Sequence, residues 1–518
     1  MRKLCISVAV AFLVVVIGAV ITLYAVAPSL RATARKRTEA YLGRQFESSV
    51  QISDIGVSLY PRVRLVASGV ILRHEGRTDI PPLLEVRLIT LEAGLSTLLS
   101  RHPQVKSVRL DGLRINMPPR RQDGKPRLHG TRANLAEQYP ILIHRIRADD
   151  ALVVILRKES DKGKPPREFH IHQLEVSDFD FANPASFHAL LTNPVPRGEI
   201  HCDGRFGPWE AEDPRRTPVD AQYTFRNADM GTLKGLTGTL SSDGRFKGPL
   251  DYIQVEGKTE VPDFALRTSD HPMALHTDFS AIVDGTNGDT ILTKVVAKFR
   301  HTTLETKGEV VDRNREVKGR SILMDTVSQN ARIDDLLLLA VKSSPPAMAG
   351  SARLKARIEI PEGTEDLIER LKIDGQFGVG QAQFSSESIQ EKINSLSRRG
   401  RGEPNTTGLG TALSELQGAF CVDKGLVTFS RLRFAVPGAA VALAGNYALD
   451  TGQMNFRGKL KLQAKLSQTT TGVKSFFLRA LDPFFRAKDA GTVLPIKITG
   501  TKDRPVFGLD FHDKANRE

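Results

Sequence analysis

Cysteine is scarce in this chain, with only Cys5, Cys202 and Cys421 among 518 residues. No Cys-x-x-Cys pair and no Cys/His spacing typical of a zinc module occurs, which excludes a disulfide scaffold and a zinc finger. Cys5 lies in an apolar run and is expected to be inert. Pairing of Cys202 with Cys421 stays open, because an oxidising compartment would permit it.

Motifs for catalysis are also missing. The chain has no G-x-S-x-G elbow, no H-E-x-x-H pair and no phosphate-binding P-loop. His170 and His172 share one face of a predicted strand, but no third ligand follows at a metal-binding spacing, so we interpret them as surface histidines. Asp334 and Asp335 are adjacent on a predicted helix and therefore diverge. We predict a protein that is not an enzyme, with no catalytic residues, no metal and no cofactor.

Charge of one sign predominates, since 73 Lys and Arg exceed 59 Asp and Glu and give a net charge of +14. Such an excess suits nucleic acid or an anionic membrane surface. No aromatic RNA-binding motif accompanies the basic residues, which are spread over many segments. We therefore predict a membrane surface, and no nucleic acid, as the partner.

A long apolar run opens the chain. Residues 4–26 read LCISVAVAFLVVVIGAVITLYAV without a charge, which is long enough to cross about 30 Å of hydrocarbon as a helix. A cleaved signal peptide is the rival interpretation, with Ala25-Val26-Ala27 as its cleavage site. The run is longer than a signal-peptide core and Pro28 would be a poor first residue, so we favour an uncleaved anchor over residues 1–28. Basic residues flank the run on both sides and leave its orientation open.

The remainder alternates with a period of two residues, which predicts strands. In MNFRGKLKLQAKLS (454–467), apolar side chains alternate with polar ones that include four cations, so one face is apolar and the other is wet and positive. Asp-Gly at 111–112, 123–124, 203–204, 243–244, 284–285 and 374–375, and Asn-Gly at 287–288, predict hairpin turns. The similar stretches DGRFGPW (203–209), DGRFKGPL (243–250) and DGQFGVG (374–380) favour repeated hairpin units. Helical spacing appears in 29–46, 95–101, 331–343, 365–372, 386–399 and 472–485.

What the apolar strand faces contact is the central question. The strand pattern leaves two answers open: the apolar faces line a groove, or they pack in a closed β-sandwich core made from the same strands. The candidate groove-lining residues are Met454, Phe456, Leu460, Leu462 and Leu466.

Both ends of the chain resemble a known family. The anchor followed by YLGRQFESSVQISDIGVSLYPRVRLVASGVILR, with its Leu-Gly at 42–43 and its Leu-x-Pro step at 59–61, resembles the N-terminal region of the bacterial AsmA-like proteins. LSTLLSRHPQVKSVRLDGLRINM is similar to the next family segment, although Gly112-Leu113 replaces the commoner proline. LQGAFCVDKGLVTFSRLRFAVPGAAVALAGNYAL, FRGKLKLQAKLS and LPIKITGTKDRPVFGLDF are similar to the family's C-terminal region.

The resemblance implies an organisation. It implies a transmembrane signal anchor at 1–28, an AsmA-like N-terminal region at 29–160, central β-hairpin repeats at 161–350 and an AsmA-like C-terminal region at 351–518. It also implies a single-pass inner-membrane protein of a bacterium with two membranes, with its body in the periplasm. The fold it implies, which we favour, is an elongated, curved antiparallel sheet whose apolar faces line a groove.

The implied function is binding or transfer of phospholipid, or another ligand with acyl chains, in an apolar β-groove that contributes to outer-membrane biogenesis. Partners would be the inner membrane, the lipid and envelope proteins. Two other classes remain open: a scaffold or assembly factor for outer-membrane proteins that binds no lipid, and an anchored enzyme whose site assembles from distant residues.

Overall fold

The structure is a computed structural model. It describes residues 32–33, 35–36, 38–40, 43, 48–58, 63–74, 78, 81–94, 104–117, 142–155, 167–180, 182–208, 210, 214–313, 317, 319–342, 344–406, 411–469, 491–501 and 504–510. Strands account for 67% of the structure, which forms a curled half-barrel sheet with few helices. The predicted mainly β fold with a curved sheet is thereby confirmed.

Within the described residues, 26 strands form the sheet. The N-terminal strands are β1 (Ser48–Gln51), β2 (Asp54–Ser58), β3 (Val63–His74), β4 (Leu84–Ala93), β5 (Gln104–Val105), β6 (Ser107–Met117), β7 (Leu142–Ile155), β8 (Arg167–Phe179) and β9 (Ala185–Pro194). The central strands are β10 (Arg197–Phe206), β11 (Pro218–Asp229), β12 (Leu236–Thr237), β13 (Thr239–Pro249), β14 (Ile253–Leu266), β15 (Met273–Val283), β16 (Thr290–Phe299), β17 (Thr302–Val311) and β18 (Ser321–Arg332). The C-terminal strands are β19 (Met348–Ile360), β20 (Lys372–Phe384), β21 (Ser414–Asp423), β22 (Leu426–Val436), β23 (Ala439–Ala448), β24 (Gln453–Leu462), β25 (Thr492–Thr501) and β26 (Pro505–Leu509).

The strands follow one another in chain order as an antiparallel meander. β1 and β2 both pair with β3, and the short β5 and β12 add side pairings to β7 and β14. The β6–β7 pair is parallel, with a longer connection between the two strands. Because the strands form a curled half-barrel sheet, the alternative of a closed sandwich is wrong.

The strand ends form two long rims. One, the helix rim, contains the ends of β14, β16, β18, β20, β22 and β24 (Leu266, Phe299, Arg332, Phe384, Val436 and Leu462). The other, the opposite rim, contains the ends of β15, β17, β19, β21 and β23 (Val283, Val311, Ile360, Asp423 and Ala448).

Three α-helices with complete bounds accompany the sheet in the part of the chain that the structure describes. They are α1 (Ile333–Ala340), α2 (Leu367–Arg370) and α3 (Glu387–Arg401), which confirms the helices predicted in 331–343, 365–372 and 386–399. α3 ends where Gly402 adopts φ +82°, a left-handed conformation that glycine accepts at low cost. The helix predicted in 29–46 is helical at residues 32–33, 35–36, 38–40 and 43, and Glu39 Oε1 accepts a hydrogen bond from the Ile52 N–H at 2.8 Å.

The membrane anchor predicted at 1–28 and the helices predicted in 95–101 and 472–485 lie outside the described residues. Among the residues described, none of the helices has both the length and the apolar character that crossing a bilayer requires.

The Asp-Gly pairs show the largest departure from prediction. Only 284–285 and 287–288 lie in a turn, between β15 and β16, and 123–124 lies outside the described residues. The pairs at 111–112, 203–204, 243–244 and 374–375 lie inside strands, so the prediction of turns there is wrong. A Cβ atom at Gly244 would lie 2.7 Å from the Tyr223 ring, and one at Gly375 would lie 2.7 Å from the Phe420 ring. Glycine is needed at these two positions because an aromatic ring of the neighbouring strand occupies the space above it.

Candidate functional site: an apolar trough

One face of the sheet carries an unbroken uncharged row. Starting from Phe456 and following the directly opposed residue on each successive strand leads from β2 to β26 without meeting a charged side chain. We call this set the central row: Ile55, Ala67, Ile89, Leu110, Ala148, Leu174, Ala189, Cys202, Tyr223, Gly244, Gly257, Phe279, Val295, Thr306, Thr326, Ala356, Gly375, Phe420, Phe429, Gly445, Phe456, Ile498 and Phe507. At about 4.8 Å per strand, the row is about 100 Å long measured along the sheet.

The two faces of each strand differ in exposure. In β14, Ile253, Val255 and Val261 are half-buried or buried, whereas Glu256 and Lys258 between them are exposed. The same alternation runs along β24, where every second side chain is exposed. Large apolar side chains that are only partly exposed indicate the inside of a curl, so the central row lies on the concave face. We call this concave apolar face the trough.

The candidate residues of β24 fall into two environments. Met454 and Phe456 lie on the trough face, and the Phe456 ring contacts Phe429 with a centroid distance of 5.8 Å. Leu460 and Leu462 also lie on this face but pack in a cluster with Ile393 of α3.

Leu466 is not in the strand. β24 ends at Leu462, and Leu466 begins a short 3-10 turn, so the prediction of a strand reaching 467 is wrong. The regular pairing with β25 ends at Leu462 opposite Thr492, and beyond it the Ala464 N–H donates to the Gly400 carbonyl of α3 at 2.8 Å.

An aromatic ladder crosses the trough near its C-terminal end. Phe377 lies 5.9 Å from Phe420 and 6.2 Å from Phe429, and Phe420 lies 6.4 Å from Phe429. With Phe456, these four rings come from β20, β21, β22 and β24. Such ring pairs stabilise a sheet by about 0.5–1.5 kcal/mol each beyond area burial. Their flat faces give an apolar lining without flexible side chains.

The middle of the trough is more polar but uncharged. Thr306 and Thr326 share a hydroxyl–hydroxyl hydrogen bond of 3.0 Å, and Tyr223 bonds to Ser242 at 3.1 Å. Burial raises the pKa of Tyr223, so its phenol stays neutral at physiological pH. Hydroxyls that bond to one another leave this stretch free of net charge.

Two helices pack on the trough face at the helix rim. Ile333 and Leu336, at α1, join a cluster with Ala352 and Val379 of the sheet, and Ile393 of α3 packs with Val436, Ala439 and Leu462. The helices therefore cover part of the trough along this rim.

A buried carboxylate anchors α1. Asp335 is 0% exposed, and it accepts hydrogen bonds from Arg300 Nε at 3.0 Å and from the His301 N–H and Thr302 Oγ1, each at 2.9 Å. The neighbouring Asp334 instead pairs with Arg332 at 3.0 Å, so the two carboxylates diverge as predicted.

Residues of the two rims are in direct contact. Lys234 and Arg267 belong to the helix rim, and the segment 361–371 belongs to the opposite rim between β19 and β20. Lys234 Nζ donates to the Thr364 carbonyl at 2.8 Å, the Leu367 N–H donates to the Lys234 carbonyl at 3.3 Å, and Arg267 forms an ion pair with Asp366. Opposite strand ends can touch only if the sheet curls strongly, so this contact bridges the trough.

The sequence could not identify most trough residues. The ladder phenylalanines and Tyr223 each show the period of two within their own strands, but only the registers place them in one row. The local signal at two of these positions, Asp-Gly at 243–244 and 374–375, predicts turns instead of strands.

No catalytic constellation emerges from the described residues. His170 and His172 are exposed, and His172 Nε2 bonds to Thr192 Oγ1 at 2.7 Å. Within the described ranges, no group of three His, Cys, Asp or Glu residues is arranged to hold a metal ion.

The cysteines provide a test of the trough. Cys202 is buried on the central row and Cys421 is exposed on β21, and both are free thiols. Burial, aided by the charge of Asp203, raises the pKa of Cys202 to about 11, so its reactive thiolate is scarce at neutral pH. In a Cys5→Ser background, we expect maleimide at pH 7 to modify Cys421 and to react at least about 100-fold more slowly with Cys202.

Intact-mass spectrometry before and after denaturation measures this difference. Unfolding should expose Cys202 and add the second adduct. Equal labelling of both thiols in the native protein would contradict the buried position of Cys202.

Comparison of the chain with protein-family models, with curated proteins and with solved structures finds no significant match. The AsmA-like resemblance therefore stays a prediction.

Proposed function

We propose that this protein binds phospholipid, or another ligand with acyl chains, along the trough, and serves lipid transfer in a bacterial envelope. The observation that carries the proposal is the central row, which is uncharged on every strand that it crosses from β2 to β26, while the opposite face of β14 and of β24 is polar. Covering apolar surface gains about 25 cal/mol per Å², so acyl chains can be held without a catalytic group. The headgroup would stay in water at the mouth of the curl.

The contact between the rims supports a trough that can retain a bound ligand. Lys234 and Arg267 join the helix rim to the 361–371 segment of the opposite rim and so reduce the opening of the trough beside the central strands. Location in the inner membrane with the body in the periplasm, and a contribution to outer-membrane biogenesis, complete the proposal and rest on the resemblance.

Site-specific photo-crosslinking in cells tests the proposal. A benzoyl-phenylalanine placed at Leu354 or Phe429 faces the trough, and one placed at the adjacent Lys355 or Thr428 faces solvent. We expect lipid adducts, identified by mass spectrometry, at the two inward positions and at least about tenfold less at the outward ones.

The matched outward positions control for membrane proximity. Equal adducts on both faces, or adducts on neither, would overturn lipid binding in the trough. Inward positions that crosslink only to envelope proteins would indicate the scaffold function instead.

A further inference from the structure

The outer face of the C-terminal strands carries a patch of positive charge. Strands β22, β23, β24 and β25 contain no aspartate or glutamate. Their exposed cations form the cationic patch: Arg431, Arg433, Arg457, Lys459, Lys461 and Lys497. Arg457 lies 3.7 Å from Asp510, and no ion pair among the described residues involves the other five.

The rest of the outer face is arranged differently. Cross-strand ion pairs join β7 to β8 (Arg145–Glu175, 3.1 Å), β11 to β13 (Asp220–Arg245, 3.0 Å) and β18 to β19 (Asp325–Arg357, 3.7 Å). Within β22–β25, the patch lacks the cross-strand ion pairs that join these other strands.

The register concentrates the positive charge. Arg457 lies directly opposite Lys497 on the neighbouring strand, and like charges in that position are destabilising. Ala442 separates Arg433 from Lys459 in one cross-strand row. Because the alanine side chain is short, nothing protrudes between the two cations, and an extended anionic surface can contact both.

One apolar side chain lies beside the patch at the sheet edge. On β26, Val506 is 59% exposed and opposes Thr499 of β25, which shares the outer face with Lys497. Phe507 and Leu509 oppose Ile498 and Ile496 and belong to the trough face. Cations beside an exposed aliphatic side chain suit the headgroup level of a membrane. We infer that the cationic patch, with Val506 at its edge, is a docking surface for an anionic lipid bilayer.

A bilayer fits this surface better than nucleic acid does. The six patch cations are accompanied by no aromatic side chain on the outer face of β22–β25 on which bases could stack. A fluid anionic membrane presents charge at every position and needs no matched geometry. The inference does not rest on lipid binding in the trough.

Vesicle capture by the full chain tests the inference. The protein is reconstituted in nanodiscs of zwitterionic phosphatidylcholine, so that its apolar N-terminal run is already inserted in lipid. Fluorescent phosphatidylcholine vesicles are then added with or without phosphatidylglycerol. We expect capture of the phosphatidylglycerol vesicles only, weakening as salt screens the charges. Because each basic residue near an anionic surface contributes about a fivefold gain in binding, Arg433→Glu, Lys459→Glu and Lys461→Glu together should reduce capture at least about 100-fold.

A charge-matched control separates the patch from net charge. Lys294, Lys298 and Lys307 are exposed on β16 and β17, and reversing these three changes the net charge equally. The control variant should retain capture within about threefold of the original protein. Equal loss in both variants, equal capture of vesicles without phosphatidylglycerol, or binding of an acidic protein or nucleic acid in place of vesicles would overturn the inference.

Discussion

Replacing Phe429 by aspartate should reduce retention of a fluorescent phospholipid by about tenfold to 100-fold. Covering a phenylalanine ring gains about 1.5–3 kcal/mol, which an acyl chain lying over Phe429 would lose. The new carboxylate would also lose its hydration beneath the acyl chain, which costs free energy. Phe429 lies between Phe377, Phe420 and Phe456, so the charge interrupts the aromatic ladder at its centre.

Retention is measured as probe that remains with the protein after gel filtration. Thr428→Asp places the same charge on the exposed face one residue away and should leave retention within about twofold. Phe429→Leu keeps an apolar side chain and should retain most of the probe. If Phe429→Asp retains the phospholipid as well as Thr428→Asp does, the trough is not the lipid site.

Replacing Asp335 by alanine should lower the free energy of unfolding by about 3 kcal/mol, because removal of one partner leaves buried polar groups without a hydrogen bond. Three donors lose their acceptor: the Arg300 guanidinium, the His301 N–H and the Thr302 hydroxyl. These groups join α1 to the β16–β17 turn, so the helix should also detach from the helix rim. Denaturant unfolding gives the free energy, and hydrogen exchange of residues 333–340 reports the detachment.

Asp334→Ala is the matched control, since Asp334 is the adjacent carboxylate and its side chain remains partly exposed beside Arg332. Its expected cost is at most about 1 kcal/mol. Asp335→Asn keeps an acceptor oxygen and should fall between the two. An unfolding free energy for Asp335→Ala that equals that of Asp334→Ala would show that the buried carboxylate does not anchor α1.

The local sequence pattern was sufficient to predict individual strands and helices. The period of two in residues 454–462 comes from side chains that alternate across a strand, and β24 follows it from Gln453 to Leu462. Ile389, Ile393 and Leu396 recur at helical spacing, and α3 contains all three. Both signals depend only on neighbours within a few residues, so the sequence carries them directly.

Mid-strand glycines show where local reasoning fails. Asp-Gly predicts a turn from backbone freedom alone, yet Gly244 and Gly375 lie in strands beneath the rings of Tyr223 and Phe420. Each ring comes from a neighbouring strand, and residue 420 is 45 positions from residue 375 along the chain. A rule built on two adjacent residues cannot detect that contact.

The sequence by itself determined that the chain forms many strands with one apolar face each, a few short helices and an excess of positive charge. Only the tertiary structure decided that these faces join in one central row, that the strand ends at Leu462 before Leu466, that Cys202 and Cys421 stay apart and that the rims meet at Lys234. The physical reason is that alternation is a property of one strand, whereas register and curl depend on hydrogen bonds and packing between strands. A slip of one residue in any pair would turn that strand's apolar side chains outward and break the row.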